Sequence, residues 1–248
     1  MLFYINDIVR SSDLLKFIVF ADDKNLFMSN IDLKTLISIV NDELSKVSRW
    51  LKINKLSLNI TESIFIIFYS RQRYITSDIH LHIDGLLIEK VVATKFLGVV
   101  LNENLTWTDH VKVVLNKTSK NFGICRKLSF ILSSVVVKTL YNSLIKPYIE
   151  YCNIAWAVHR TVQIDVLYRI QKRCIRMLTN SHRKAHAAPL FKQVNLLNVY
   201  DINKLHIACF IYKSMNSLLP HCFANFFESN DNVHDYNLRN NRNIKLHK

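Results

Sequence analysis

Two adjacent carboxylates, Asp22 and Asp23, follow Phe20-Ala21 between two short apolar segments, Leu15 to Phe20 and Leu26 to Met28. Apolar flanks around a polar centre that also holds Lys24 and Asn25 predict a β-hairpin with both carboxylates at its tip. Side by side, two such groups repel one another and lose hydration, which disfavours their ionised form unless a cation sits beside them. Magnesium answers that need. It takes hard oxygen ligands, commonly one or two carboxylates plus the phosphates of a substrate, the arrangement of phosphoryl- and nucleotidyl-transfer sites. An Asp-Asp turn whose side chains bond only their own backbone is the simpler alternative.

A second group of residues carries the opposite charge. Within Ile164 to Leu178, Arg169, Lys172, Arg173 and Arg176 fall at i, i+3, i+4 and i+7, while Ile164, Leu167, Ile170, Cys174 and Leu178 mark another side of the same predicted helix. Like charges at these spacings destabilise an isolated helix by a few tenths of a kcal/mol per pair. No acid lies between Ile170 and Leu178 to relieve them. Nucleic-acid phosphate would do so, and contact with it is the functional reading; a solvated basic face is the alternative. Tyr141, Tyr148, Tyr151, Trp156 and Tyr168, in the same basic region, are either stacking platforms for bases or core residues. His182 and His186 at i, i+4 on a helix would face one way, but a pair with no third ligand in sight reads as polar surface more readily than as a metal site.

These groups need a scaffold, and the composition bounds it. With 248 residues, 50% hydrophobic and 11% aromatic, the chain is long and apolar enough for a sizeable core. Only three Gly and three Pro punctuate it, which favours long helices over a many-stranded sheet and predicts an α-rich α+β fold. Leu33, Leu36, Ile37, Val40, Leu44, Val47 and Leu51 predict an amphipathic helix after the first hairpin. Ser63 to Tyr69 reads as a strand, Ile79 to Ile88 as a hairpin turning at Asp84-Gly85, and Lys95 to Leu101 as a further strand. Further on, Thr108 reads as a helix N-cap, Val111, Val114, Leu115, Thr118, Phe122 and Cys125 as one helical face, and Ser134 to Lys146 as a helix after which Pro147 marks a break or a new helix start.

Charge is unevenly shared. Residues 1–105 hold 12 Lys+Arg and 12 Asp+Glu, residues 106–213 hold 17 and 4, and residues 214–248 hold 4 and 3, so the middle segment carries nearly all of the net +14. A neutral, carboxylate-bearing part joined to a strongly basic part suits metal chemistry in one and phosphate grip in the other. The five cysteines are scattered without a Cys-x-x-Cys pair and read as reduced core residues. Neither a membrane-length apolar run nor a signal-peptide pattern is present, which predicts an intracellular chain with no membrane partner. From Glu228 onward apolar residues thin out, predicting a mobile tail.

The order and spacing of several short segments resemble the reverse transcriptase of non-LTR (LINE-type, jockey-like) retrotransposons. They are Phe20-Ala21-Asp22-Asp23, Trp50 to Asn59, Lys95 to Val99, Leu105-Thr106-Trp107, then Leu140-Tyr141, Pro147-Tyr148, Ile170 to Arg173, Pro189 to Phe191 and His234 to Arg239. The resemblance spans nearly the whole chain. It implies a partial polymerase palm of β-hairpins with a packed helix over 1–105, a basic helical thumb with connecting helices over 106–213, and a C-terminal extension over 214–248. It further implies RNA-directed DNA polymerisation by the intact enzyme, with Asp22 and Asp23 as catalytic metal ligands for Mg²⁺ or Mn²⁺, and an RNA template, a DNA primer and deoxynucleotides as partners. Phe96, Leu97, Gly98 and Val99 become part of a primer-grip-like hairpin in which Gly98 lets a primer backbone approach; an ordinary strand whose Gly relieves crowding is the alternative. Nuclear localisation follows if the enzyme acts at chromosomal DNA.

The resemblance also implies what lies outside the chain: the fingers, a third metal-binding Asp and a Gln/Gly-containing segment, all upstream of Met1. Where the family usually shows a Lys after Asn59, this chain has Glu62-Ser63, with Lys52 and Lys55 as substitutes. Two functions therefore compete, a fragment of a two-metal polymerase and a truncated remnant that binds nucleic acid through its basic helices without chemistry. An unrelated basic helical protein is a third, simpler option.

Overall fold

The computed structural model describes residues 5–21, 23–70, 72, 79–157, 162–223, 226–229 and 244–246. Asp22 and His234 to Arg239 lie outside the described residues, as does most of the expected tail. The fold is mixed α/β and rich in helix, and the chain divides into two compact units, Met1–Thr106 and Trp107–Lys248.

In the first unit, β1 (Lys16–Phe20) and β2 (Asp23–Phe27) form the expected antiparallel hairpin, with Phe17 opposite Leu26 and Phe20 opposite Asp23. Strand side chains alternate between faces. Phe17, Val19 and Leu26 accordingly pack on a core of Ile8, Leu15, Val47 and Leu51, while Ile18 and Phe20 stay exposed. Helix α1 (Leu33–Ile53) supplies Val47 and Leu51 to that core and Leu44 to a second one with Leu81, Ile83 and Ile88. Its start is fixed by Asp32, whose carboxylate accepts from the Thr35 backbone N–H at 2.8 Å. Glu43 of α1 is nearly inaccessible, yet it accepts from Lys46 at 2.6 Å and from Ser12, whose hydroxyl in turn accepts from the Leu14 and Leu15 N–H groups. A buried carboxylate thereby anchors the segment entering β1.

Ser63 to Tyr69 contributes only the short β3 (Ile64–Phe65), parallel to β6 (Glu89–Lys90). Strands β4 (His82–Ile83) and β5 (Leu86–Leu87) form the hairpin expected at Asp84-Gly85, where both residues have positive φ, 53° and 76°, as a type I′ turn requires. The expected single strand over Lys95 to Leu101 is corrected. Leu97 and Gly98 adopt φ of 44° and 87° and fold the segment back as β7 (Ala93–Phe96) against β8 (Val99–Asn102). Each of these sheets is two-stranded among the described residues.

The second unit is built from helices α2 (Thr108–Leu128), α3 (Ser134–Leu144), α4 (Lys146–Glu150), α5 (Asn153–Trp156), α6 (Val162–Leu178), α7 (Ala187–Gln193) and α8 (Val199–Met215). Thr108 is the first helical residue of α2; the cap position belongs to Trp107 at φ 60°. Pro147 is the second residue of α4, within the first turn, where its missing N–H costs nothing. The predicted face of α2 buries Val111, Val114, Thr118 and Cys125 against α6, whose Ile164, Leu167, Cys174 and Ile175 are wholly inaccessible. Gln171 sits at the centre of this core. Its amide donates to the Tyr141 hydroxyl and to the Leu197 carbonyl, each at 3.0 Å, and accepts from the Val199 N–H at 2.9 Å, joining α3, α6 and the start of α8. Near the C-terminus β9 (Phe227–Ser229) pairs with β10 (Ile244–Leu246). No described helix is long and apolar enough to cross a membrane.

Candidate functional site

The hairpin turns earlier than its sequence suggests: Lys24 and Asn25, expected at the tip, lie within β2 opposite Val19 and Ile18, and Asp22 lies outside the described residues. Asp23 opens β2 with its side chain exposed, opposite Phe20, which is 60% exposed. Ala21 holds φ at 53°, a left-handed conformation costly for a residue with a Cβ, so backbone strain is stored beside the carboxylates. Asp23 is a hard oxygen donor open to solvent, which suits magnesium in kind. Among the described residues no group of three His, Cys, Asp or Glu side chains is arranged to hold a metal.

Phe96 of the primer-grip-like segment meets this hairpin. Its ring lies edge-on to Phe27, centroids 6.1 Å apart, so the β7–β8 hairpin packs on β2. Val99 is buried, Phe96 and Leu97 are half-buried, and Gly98 is exposed at the turn. The glycine is there for its φ of 87°, an explanation different from relief of crowding within a strand. Lys52, one of the two lysines that the resemblance offers as substitutes, is engaged elsewhere: its ammonium lies 2.8 Å from Asp84, which also accepts from the Ser48 hydroxyl. These two donors, Lys52 first, hold the Asp84 carboxyl below the usual carboxylate range. Glu62 ends a short 3-10 turn, Ile60–Glu62, with its side chain exposed.

In the second unit Arg169, Lys172, Arg173 and Arg176 line one shallow open groove with Val166 and Ile170. The helix puts them there because α6 buries the opposite stripe. Arg169 and Arg173 are exposed, and Lys172 and Arg176 half-exposed. Among the described residues no carboxylate stands within ion-pair distance of any of the four. Lys172 lies over the Tyr168 ring at 4.6 Å, and Tyr168 itself packs on Phe191 and Tyr200, which makes it a core residue carrying a cation on its face. Arg176 donates from Nε to the Ala185 carbonyl at 2.9 Å, tying the loop after α6 to the groove.

That loop also carries exposed Arg183 and Lys184, immediately before the Ala185 that Arg176 holds, a pair the charge pattern had not singled out. The available signal was the absence of any acid from Val166 to Tyr200. His182 and His186 are in this loop too and not on a helix, so the shared helical face expected for them is corrected; the His182 Nδ1 accepts from the Lys184 N–H at 3.3 Å. Of the aromatic residues weighed as stacking platforms, Tyr141 and Trp156 are buried, while Tyr151 is exposed. No protein-family model, no curated protein and no solved structure matches this chain.

Proposed function

We propose that the chain is part of an RNA-directed DNA polymerase of the non-LTR retrotransposon type, and that its second unit serves to grip the phosphates of primer and template. The observation that carries this reading is the open face of α6. Four cations at helical spacing line one groove there, no described carboxylate neutralises them, and a fifth and sixth stand on the loop that Arg176 tethers. Such a face has low affinity for a protein core and high affinity for a polyanion. For the first unit the support is the ordered run of family-like segments, the exposed carboxylate at a strained hairpin tip, and the packing of Phe96 on Phe27. In this reading Asp22 and Asp23 hold Mg²⁺ or Mn²⁺, which would neutralise the developing charge of nucleotidyl transfer. Phe96 to Val99 seat the primer end. Contacts to phosphate position the duplex and carry no sequence information.

The second reading, a nucleic-acid-binding remnant without chemistry, is favoured by one observation: Lys52 is occupied by Asp84, and Glu62 brings negative charge where the family usually has a lysine. Binding of a short fluorescent RNA–DNA hybrid across a salt series tests what the two readings share. Replacing Arg169, Lys172, Arg173 and Arg176 by Ala is expected to flatten the slope of log K against log salt by roughly three. An unchanged slope means that the face only meets water, and the grip is refuted. Primer extension with a version of the chain extended upstream to supply the third Asp separates the readings: the polymerase predicts Mg²⁺- or Mn²⁺-dependent extension that is lost when Asp22→Ala is introduced, the remnant none in either protein.

A further inference from the structure

Gly123 stands inside α2, five residues before its end, where glycine costs roughly 1 kcal/mol of helix stability relative to alanine. Nothing inside the protein requires it. A Cβ built there would meet no atom within 4 Å, and the residue is exposed in regular helical conformation. An unforced gap of this kind has meaning in relation to something outside the chain.

Its neighbours on the surface say what. Lys112, Asn116, Ser119, Lys120, Gly123 and Lys127 recur at spacings of three and four, and all six are exposed. They make one lengthwise strip with a flat Asn-Ser-Gly floor, in which Lys112 pairs with Asp109 at 3.2 Å at one end and Lys120 and Lys127 flank Gly123. From His110 to Ile149 the sequence holds seven Lys+Arg and no Asp or Glu. An apolar partner would leave the lysines desolvated, and a protein surface would have to supply a matched row of acids. A nucleic-acid strand supplies a row of anions by construction.

Resting on the reading given under Proposed function, we infer that the exposed strip of α2 is a second nucleic-acid contact, along which a sugar–phosphate backbone lies against Gly123 between the flanking lysines. The missing side chain lets the backbone come closer than any other residue would allow. From Lys112 to Lys127 the helix rises about 22 Å, on the order of six steps of one strand at 3.4 Å each. This contact is separate in sequence from the α6 groove and adds an extended footprint to it.

The test uses the full chain and the same fluorescent hybrid, with Gly123→Ala, Gly123→Leu, the double variant Lys120→Gln/Lys127→Gln and the fourfold α6 alanine variant. Both Gly123 variants should melt a few degrees higher than the parent, since each improves helix propensity in open space. Gly123→Leu should nevertheless raise the Kd about tenfold, and the double Gln variant should lower the salt slope by roughly two. Tighter folding with weaker binding cannot come from damage to the helix. If Gly123→Leu and the double variant bind as the parent does while the α6 variant is weakened, the α2 strip is no contact and the grip by α6 stands. If the parent itself binds no hybrid, the strip and the grip fall together.

Discussion

Gln171 shows how one polar side chain can be worth more to a core than an apolar one of its size. Its amide is inaccessible and satisfies three partners, the Tyr141 hydroxyl, the Leu197 carbonyl and the Val199 N–H. Removing the amide leaves those partners desolvated and alone, and each such group costs about 1–3 kcal/mol. Gln171→Leu is therefore expected to destabilise the chain by about 3 kcal/mol in urea unfolding. Adding Tyr141→Phe should recover part of that loss, because it removes one of the stranded groups. Losses that simply add would mean that the network contributes nothing. In the sequence Gln171 is merely one more polar residue in a basic run, since a hydrogen-bond network across three helices leaves no local pattern. Asp22 and Asp23, by contrast, announce themselves by adjacency, and the Ala21 strain beside them was not legible because alanine is no signature of a positive φ.

Helices declare themselves where one face is buried. The apolar rows of α1, α2, α3 and α6 follow from the spacing of their residues, and so does the Asp84-Gly85 hairpin from its turn chemistry. Helix α8 has no such row: Leu205, Tyr212 and Met215 are exposed while Val199 and Ile202 are buried, so apolar residues surround it. Leu97-Gly98 escaped because Leu in the first turn position hides a type I′ hairpin inside an apolar run. The Leu44, Leu81, Ile83 and Ile88 core holds the β4–β5 hairpin on α1, and the Asp84 carboxylate adds to it through Lys52 and Ser48, as Glu43 does for the entry into β1. Both carboxyls are lowered, Asp84 by Lys52 first and Glu43 by Lys46 first. A carboxyl with a lower pKa folded than unfolded stabilises above the unfolded value, near pH 4 for such groups, and loses that contribution as pH falls through the folded value. The urea midpoint should accordingly drop below about pH 4, and Asp84→Asn/Glu43→Gln should flatten the drop. An acid limb as steep in the double variant as in the parent would assign the sensitivity to other groups.

All five cysteines fall in the second unit, and their burial turns them into a reporter for it. They are not uniformly core residues, as their scattered positions had suggested. Cys152, Cys209 and Cys222 are exposed, whereas Cys125 on α2 and Cys174 on α6 are inaccessible, and burial pushes both of those thiols up, with the neighbouring Cys125 adding to the rise at Cys174. Only the thiolate reacts, so the buried pair is protected twice, by access and by protonation. At neutral pH a disulfide reagent should label three thiols quickly and two at the rate at which α2 and α6 open. Where opening is fast relative to labelling, the slow rate follows the opening equilibrium. Gln171→Leu, at about 3 kcal/mol, should then accelerate it roughly a hundredfold. The first unit contains no thiol, so Asp84→Asn/Glu43→Gln should leave the slow rate unchanged if the two cores, which share no residue, open separately. Acceleration by the first-unit variant would show that the cores open as one, and four or five fast thiols in the parent would show that the helical core is not packed as described.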